Sequence, residues 1–295
     1  MTANIDSALV TQFSSMVHVN AQQKKTRMRS RVMTKMVTGE DYAYDGLGDL
    51  EAIEILSRHQ KTIGQDIEHT RRRIRMREFR ATIYLGKKDK LETLIDPQSQ
   101  YSSAVANALY RKFDAVALSS AFEAVNTGKD FGTSVTFAND GGLTVNATAG
   151  FTYPKILEIE ENFIDNEVGN DEVEDLYLTV TGEEHTDLMG ENELTSGDFT
   201  KQFAVEKGRI TYAGDLNILR FGANAINPML AVNGSTRDCI AASDRALCVG
   251  ISEELDIQVR ERPDLNGTIQ VQASMFMGSV RTEGKLIQKV QTTVS

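Results

Sequence analysis

The segment QDIEHTRRRIRMREFRATIYL, residues 65–85, constrains the fold more than any other part of the chain. Successive side chains of an extended strand point to opposite faces, so this alternation predicts a strand. One face would carry four arginines: Arg71, Arg73, Arg75 and Arg77. The other would carry Arg72, Ile74, Met76 and Glu78. A helix with a solvated basic face is the alternative. Because like charges on one strand face repel each other, the strand needs acidic partners.

Acidic residues are abundant in the later part of the chain. Residues 1–90 contain 17 Lys and Arg against 11 Asp and Glu, whereas residues 91–295 contain 15 against 31. The first large acidic surplus is in residues 155–198, which contain 15 Asp and Glu and a single Lys or Arg, Lys155. It could pair with the arginine strand within one chain or between copies. A net charge of −10 and a pI near 5.0 argue against indiscriminate binding of polyanions.

The first 40 residues show no helical or strand period and contain a basic cluster, which predicts an arm outside the core. Five of its residues are candidates for DNA-facing or arm contacts: Lys24, Lys25, Arg27, Arg29 and Arg31. Lysine and arginine can neutralise phosphates without reading bases. An alternative is that the cluster orders against another copy of the chain. Zinc-finger spacing, aromatic RNA-binding motifs and tryptophan are absent from the sequence.

Two helices are predicted. The first covers about residues 98–126, with Asp96 before Pro97, or Ser99, at its start and Gly128 after its end. Its apolar positions at helical spacing are Val105, Leu109, Phe113 and Val116. The second begins near Thr152. It should bury Ile156, Ile159, Phe163 and Ile164. Its outward side chains should be Glu158, Glu160 and Glu161.

Several segments after the second helix have the composition of strands. They are DLYLTVTG, RITYAGDLNILRF, RDCIAAS and ALCVGIS. Near the carboxyl terminus two long strands meet at Arg262-Pro263-Asp264. Opposite Gln270, Gln272 and Ser274, one face of the second strand should carry Ile269, Val271, Ala273, Met275 and Met277. Strands mixed with helices in this order predict an α+β fold.

Catalytic motifs are not found in the sequence. HExxH, Walker A, GxGxxG and GxSxG patterns are absent, and the four histidines are scattered. His185 lies among carboxylates in EEHTDLMGE, which suits a solvated acidic helix better than a metal site. Cys239 and Cys248 could face each other across a hairpin, but two buried apolar thiols are the preferred interpretation. No enzymatic activity, metal or cofactor is therefore expected.

The order of these features resembles the major capsid proteins of tailed bacteriophages with the Hong Kong 97-type fold. The resemblance covers about residues 39–290 and is carried by a series of short motifs in order. They are Gln65-Asp66-Ile67-Glu68-His69 with Arg71, Arg72 and Arg73; Lys90-Leu91 before Leu94-Ile95-Asp96-Pro97; the helix near Tyr101; Asn166-Glu167-Val168; Leu194-Thr195-Ser196 with Asp198-Phe199; Glu261-Arg262-Pro263-Asp264; and Gln270-Val271 with Ala273-Ser274-Met275.

The resemblance implies five segments. They are an N-terminal arm (1–40), an extended loop (41–90), a peripheral domain with a long spine helix at about 98–126 (91–150), an axial domain (151–250), and long C-terminal strands returning to the peripheral domain (251–295). It also implies that Arg71, Arg73, Arg75 and Arg77 contact a neighbouring subunit. Lys61 is a candidate for a covalent cross-link by its position alone, but non-covalent closure is the default.

The resemblance further implies a structural role in a virion. The subunit would self-assemble as pentamers and hexamers into an icosahedral shell around double-stranded DNA, after synthesis and assembly in the bacterial host cytoplasm. A portal would be a partner, with a decoration protein in some relatives. The short N-terminal segment implies a separate scaffold protein or none. The alternatives are a nucleic-acid-coating protein and the shell protein of a cellular nanocompartment. An enzyme is the weakest hypothesis.

Overall fold

A computed structural model describes residues 22–48, 50–54, 57, 61, 64–86, 98–146, 150–169, 174–191, 194, 205–206, 209–223 and 229–294. Helices and strands both contribute, as expected for an α+β protein. The helices are α1 (Gln98–Ser119), α2 (Tyr153–Asp165) and α3 (Gly182–Gly190). No helix in this part of the chain is long and apolar enough to cross a membrane.

The strands are numbered in chain order. They are β1 (Met33–Met36), β2 (Asp41–Leu47), β3 (His69–Arg75), β4 (Arg77–Leu85), β5 (Val125–Thr127), β6 (Thr133–Val135), β7 (Leu143–Asn146), β8 (Leu176–Val180), β9 (Val205–Glu206), β10 (Arg209–Ile210), β11 (Tyr212–Ala213), β12 (Leu216–Arg220), β13 (Val232–Asn233), β14 (Thr236–Ser243), β15 (Leu247–Arg262), β16 (Thr268–Arg281) and β17 (Ile287–Thr293). Short 3₁₀ turns cover Ala138–Asp140 and Pro263–Leu265.

The chain divides into two compact units. The first contains the described parts of Met1–Lys25, Glu78–Lys112 and Glu253–Met275. Within it, the distal parts of β15 and β16 form a ribbon that turns at Pro263–Leu265, as predicted. Asn266 and Gly267 complete this turn with positive φ angles. The boundaries of the five segments implied by the resemblance stay predictions.

The second unit contains Thr26–Arg77, Phe113–Ser252 and Phe276–Ser295. Its largest sheet has the strand order β11-β12-β8-β14-β17-β7, with β13 paired to β14. Every residue of β8 is buried, which explains why this strand reads as a continuous apolar run. A smaller sheet has the order β2-β3-β5-β6 and carries the predicted arginine strand.

Helix α2 packs one face on this unit. Ile156, Ile159 and Phe163 are buried as predicted. Ile164 was expected to face inward, but it is 58 % exposed, because the buried stripe ends at Phe163 and Ile164 lies about 100° further round the helix. Glu160 was expected to face outward, but it is half-buried and its carboxylate accepts the Asp215 N–H at 2.9 Å.

Helix α1 ends earlier than predicted. Val105, Leu109 and Phe113 are buried as expected, and Val116 is half-buried. The helix stops at Ser119 rather than near residue 126, because the chain then turns and enters β5. The predicted starting residues Asp96 and Pro97 lie outside the described part of the chain, as do Ser196, Asp198 and Phe199 of the motif series.

The N-terminal basic segment was expected to lie outside the core, and this is wrong for residues 26–37. Met28, Val32 and Val37 are buried, and Asp114 accepts the backbone N–H of Met28 at 3.2 Å. Strand β1 pairs in parallel with β15. The buried residues are too few and too irregularly spaced among cations to give a period, so the sequence pattern did not show them.

Candidate functional site

The four arginines of the predicted strand form one row, which we call the arginine row: Arg71, Arg73, Arg75 and Arg77. The first three lie in β3 and the last begins β4, so the extended conformation is confirmed and the helical alternative is wrong. The other face is buried, with Arg72 at 5 %, Ile74 at 0 % and Met76 at 9 % exposure. This burial fixes which face the row presents.

Two members of the row have acidic partners on the neighbouring strand β2. Arg71 Nε donates to Asp45 Oδ1 at 2.6 Å, and Arg73 Nε donates to Asp41 Oδ1 at 2.9 Å. Asp45 lies directly opposite Arg71 in the antiparallel register, and Asp41 lies diagonally from Arg73. These bonds hold the pKa of each carboxyl below its usual value. Both pairs are local, whereas the acidic surplus at residues 155–198 was the expected source of partners.

The row continues into an open cleft of about 240 Å³. Arg73, Arg75 and Arg77 line one side. The residues after α1 supply Glu123 and Asn126, and β16 supplies Ser279. Three guanidiniums against one carboxylate give the cleft an excess of positive charge. We call it the arginine cleft.

Beneath the row, Arg72 enters a buried ion cluster that the sequence did not indicate. Its two terminal nitrogens donate to the two carboxylate oxygens of Asp140, both at 2.7 Å. Arg281 Nε donates to Asp140 Oδ2 at 2.7 Å. Arg281 is fully buried and also donates to the carbonyls of Ala121 and Glu123 at 2.8 and 3.0 Å. The cluster therefore joins β3, the 3₁₀ turn, β16 and the end of α1.

Burial and hydrogen bonding act in opposite directions on Asp140. Burial alone would raise the pKa of its carboxyl, but the hydrogen bonds from Arg72 and Arg281 outweigh burial and the pKa is lowered. Burial lowers the pKa of Arg281. Asp140 precedes Gly141 and Gly142, and an Asp-Gly-Gly sequence is typical of a turn and gives no sign of a distant arginine.

The N-terminal candidates separate into two groups. The guanidinium of Arg27 donates to the Arg220 carbonyl and lies 5.4 Å from the centre of the Phe221 ring, while Arg31 pairs with Asp175 at 2.7 Å. These two residues contact their own chain. Lys24, Lys25 and Arg29 are exposed. A role facing DNA or another copy stays a prediction for all five.

Part of the acidic segment 155–198 is structural. Glu184 is buried at 1 % exposure and completes a capping box with Thr181 at the start of α3. It also pairs with Arg237 and accepts the hydroxyl of Thr292 at 2.9 Å. The helix was predicted, but its description as fully solvated is wrong for Glu184. The hydrogen bonds of the cluster lower the pKa of this carboxyl although burial alone would raise it.

The remaining candidates have local roles or no described contact. His185 accepts the N–H of Ile210 through Nε2 at 3.3 Å, and burial lowers its pKa. Cys239 and Cys248 are free and buried, which confirms the interpretation as two buried apolar thiols. Their strands, β14 and β15, belong to different sheets, so they do not face each other across a hairpin. Lys61 is exposed.

Comparisons with known proteins agree with this architecture. A family model for phage capsid protein matches residues 5–294. The capsid structure of cyanophage P-SCSP1u is 15 % identical with a TM-score of 0.72, covering 100 % of this chain and 97 % of that chain. The acid-stable capsid of Helicobacter pylori bacteriophage KHP30 is 10 % identical with a TM-score of 0.72, covering 99 % and 97 %.

A third solved structure, the capsid of Ralstonia phage GP4, is 11 % identical with a TM-score of 0.69 and covers 96 % of this chain and 94 % of that chain. No curated protein matches the chain. The similarity in fold is thus close while the sequences have diverged widely. Since the family model spans nearly all of its length, the chain belongs to the phage capsid protein family, as a structural major capsid protein with the expected Hong Kong 97-type fold.

Proposed function

We propose that this capsid protein assembles as pentamers and hexamers into an icosahedral shell around the double-stranded DNA of a tailed phage. The observation that carries the proposal is the arginine row, which presents charge on an exposed face while the described residues of its own chain form ion pairs with only two of its members. Many weak contacts repeated around a closed shell combine into a stable assembly. In the shell, the row fixes how neighbouring copies align with each other. A portal protein is a further partner.

The chain's own contacts weigh against nucleic-acid coating as the main function. Arg27 and Arg31 are held by groups of the second unit. In this proposal the exposed Lys24, Lys25 and Arg29 face packaged DNA. They soften repulsion between the shell and the genome without reading sequence, because phosphate contacts carry no base information. The mature location is the virion, and synthesis and assembly take place in the host cytoplasm.

Particle formation by the purified full-length chain tests the proposal. We expect negative-stain electron microscopy and sedimentation to show capsomers or closed shells in nuclease-treated material. Growth only after DNA is added would instead identify a coating protein. Shells that contain enzyme cargo rather than DNA in the native source would identify a nanocompartment. A small oligomer under all conditions would contradict all three assignments.

A further inference from the structure

Arg75 and Arg77 differ from the other members of the arginine row. Arg71 and Arg73 are paired with Asp45 and Asp41, whereas neither Arg75 nor Arg77 has a carboxylate within 4 Å among the described residues. Both are exposed and both line the arginine cleft. The cleft is therefore concave and positively charged, and Asp41, which lies opposite Arg75 in the strand register, forms its ion pair with Arg73.

Carboxylates suited to this cleft lie on helix α2. Several acidic groups of residues 155–198 have partners within the chain: Glu160 with Asp215, Glu174 with Arg245, Asp175 with Arg31, and Glu184 with Arg237. By contrast, Glu158, Glu161 and Asp165 are exposed, and no cation of the described residues lies within 4 Å of them. All three lie on the solvent face of α2.

The spacing of the two sets of charges agrees. Glu161 and Asp165 are four residues apart on a helix, which separates them by about 6 Å along its axis. Arg75 and Arg77 are two residues apart on an extended chain, which separates them by about 6.6 Å. A helix lying along the row could therefore place one carboxylate near each guanidinium.

The same face of α2 also offers apolar surface. Leu157 is 46 % exposed and Ile164 is 58 % exposed, and they lie seven residues apart on the same side of the helix. Apolar side chains bordered by charges are typical of the core and rim of a protein interface. This favours a protein over a nucleic acid as the occupant of the cleft.

We propose that the exposed face of α2 in one copy docks on the arginine cleft of a second copy, with Glu161 and Asp165 pairing with Arg77 and Arg75. The inference rests on the proposed shell function, since it assigns one contact between subunits of that shell. Exposed ion pairs are individually weak, so this contact selects register, and the apolar pair Leu157 and Ile164 adds buried area.

A charge swap in the full-length chain tests the contact. We expect R75E/R77E and E161K/D165K each to lower particle yield about tenfold or more, because a weakened contact is repeated around the whole shell. Circular dichroism and thermal unfolding should show folded subunits in both variants. The quadruple variant, which restores opposite charges with reversed sign, should recover most of the wild-type yield. The control K129E/D130K changes two exposed residues outside the cleft and should assemble normally.

A cross-linking experiment reads out the contact directly. Arg77→Cys and Asp165→Cys are made in separate chains that carry different tags, mixed under assembly conditions and treated with a short bismaleimide. Cross-linked heterodimer can form only between copies, and the native Cys239 and Cys248 are buried. We expect heterodimer well above the level seen when Lys129→Cys replaces Arg77→Cys.

The outcomes separate this inference from the shell proposal. Suppose that the wild type forms particles but both double variants also assemble normally. The docking of α2 is then wrong and the shell function stands. The same conclusion follows if the quadruple variant does not recover the yield and no heterodimer forms. If the wild type forms no particles, the shell function fails and the inference fails with it.

Discussion

Asp140 is the residue whose environment differs most from what the sequence suggests. Its carboxylate accepts hydrogen bonds from two guanidiniums, and the side chains of Arg72, Asp140 and Arg281 are 6 %, 9 % and 0 % exposed. Two cations share one anion in this cluster, so loss of the anion would leave like charges buried together. Removing one partner of a buried pair costs far more than removing one partner of an exposed pair.

We expect Asp140→Asn to lower the free energy of unfolding by about 3–5 kcal/mol, because it leaves two buried guanidiniums without a counter-ion. Urea unfolding of the unassembled subunit, followed by circular dichroism, measures the change. Asp45→Asn is the matched control, since it removes the same chemical group from an exposed pair with Arg71. Equal destabilisation by the two variants would contradict the structural role given to Asp140.

The same carboxyl predicts a pH dependence. The hydrogen bonds from Arg72 and Arg281 hold the folded-state pKa of Asp140 below that of an unfolded aspartate, so its ionised form stabilises the fold above the unfolded-state pKa. This contribution should be lost as the pH falls through the lower, folded-state pKa. The difference in unfolding free energy between wild type and Asp140→Asn should thus be constant near neutral pH and shrink below about pH 4. A difference that grows on acidification would contradict this assignment.

Among the elements, β16 lies close against β3 at Gly278. A methyl group there would overlap the Arg75 carbonyl group, and would also lie 3.0 Å from the Ile74 side chain. Glycine is thus required at this position by the close approach of two backbones rather than by a left-handed turn. The same approach places Ser279 in the arginine cleft.

We expect Gly278→Ala to destabilise the chain by about 1–3 kcal/mol, because backbone atoms cannot yield as a flexible side chain can. Gly182→Ala is the control, since nothing lies within 4 Å of an added Cβ at the start of α3. Thermal unfolding of both variants compares them. An unchanged midpoint for Gly278→Ala would show that the two strands can separate without cost.

Elements with a regular period were predictable, and irregular ones were not. The alternation in β3 and in β16 assigned Ile74 and Met277 to the correct strand faces, because the period of two is repeated several times, and both side chains are buried. The partners Asp41 and Asp45 could have been found by pairing the two nearest strands across their loop. The Arg72–Asp140–Arg281 cluster could not, because it joins positions up to 209 residues apart and none of the three belongs to a motif.

At the scale of the whole molecule, the N-terminal segment contributes to the core of the second unit, as the long strands do. Strand β1 covers the edge of β15 in the second unit, and Met28 is fully buried beside Asp114. Val37 and Cys248 belong to one apolar cluster with Ile74 and Met76. Residues 26–37 therefore connect the core beneath the arginine row to the rest of the second unit.

We expect deletion of residues 1–37 to remove most soluble, folded protein, because it exposes the apolar residues that Met28, Val32 and Val37 cover. Deletion of residues 1–25 should keep the second unit folded, since that unit begins at Thr26. Soluble yield and limited proteolysis compare the two truncations. Equal yields would show that residues 26–37 are dispensable.

The pairing of Arg71 and Arg73 with Asp45 and Asp41 also affects the charge that the subunit presents before it assembles. Two of the four arginines in the row are paired within the same chain as soon as β2 pairs with β3. In the arginine row itself, an unassembled subunit thus offers RNA or acidic proteins two cations that form no ion pair among the described residues, Arg75 and Arg77. In the proposed assembly, the attraction of the row for other anions therefore stays weak until a second copy presents its acidic surface.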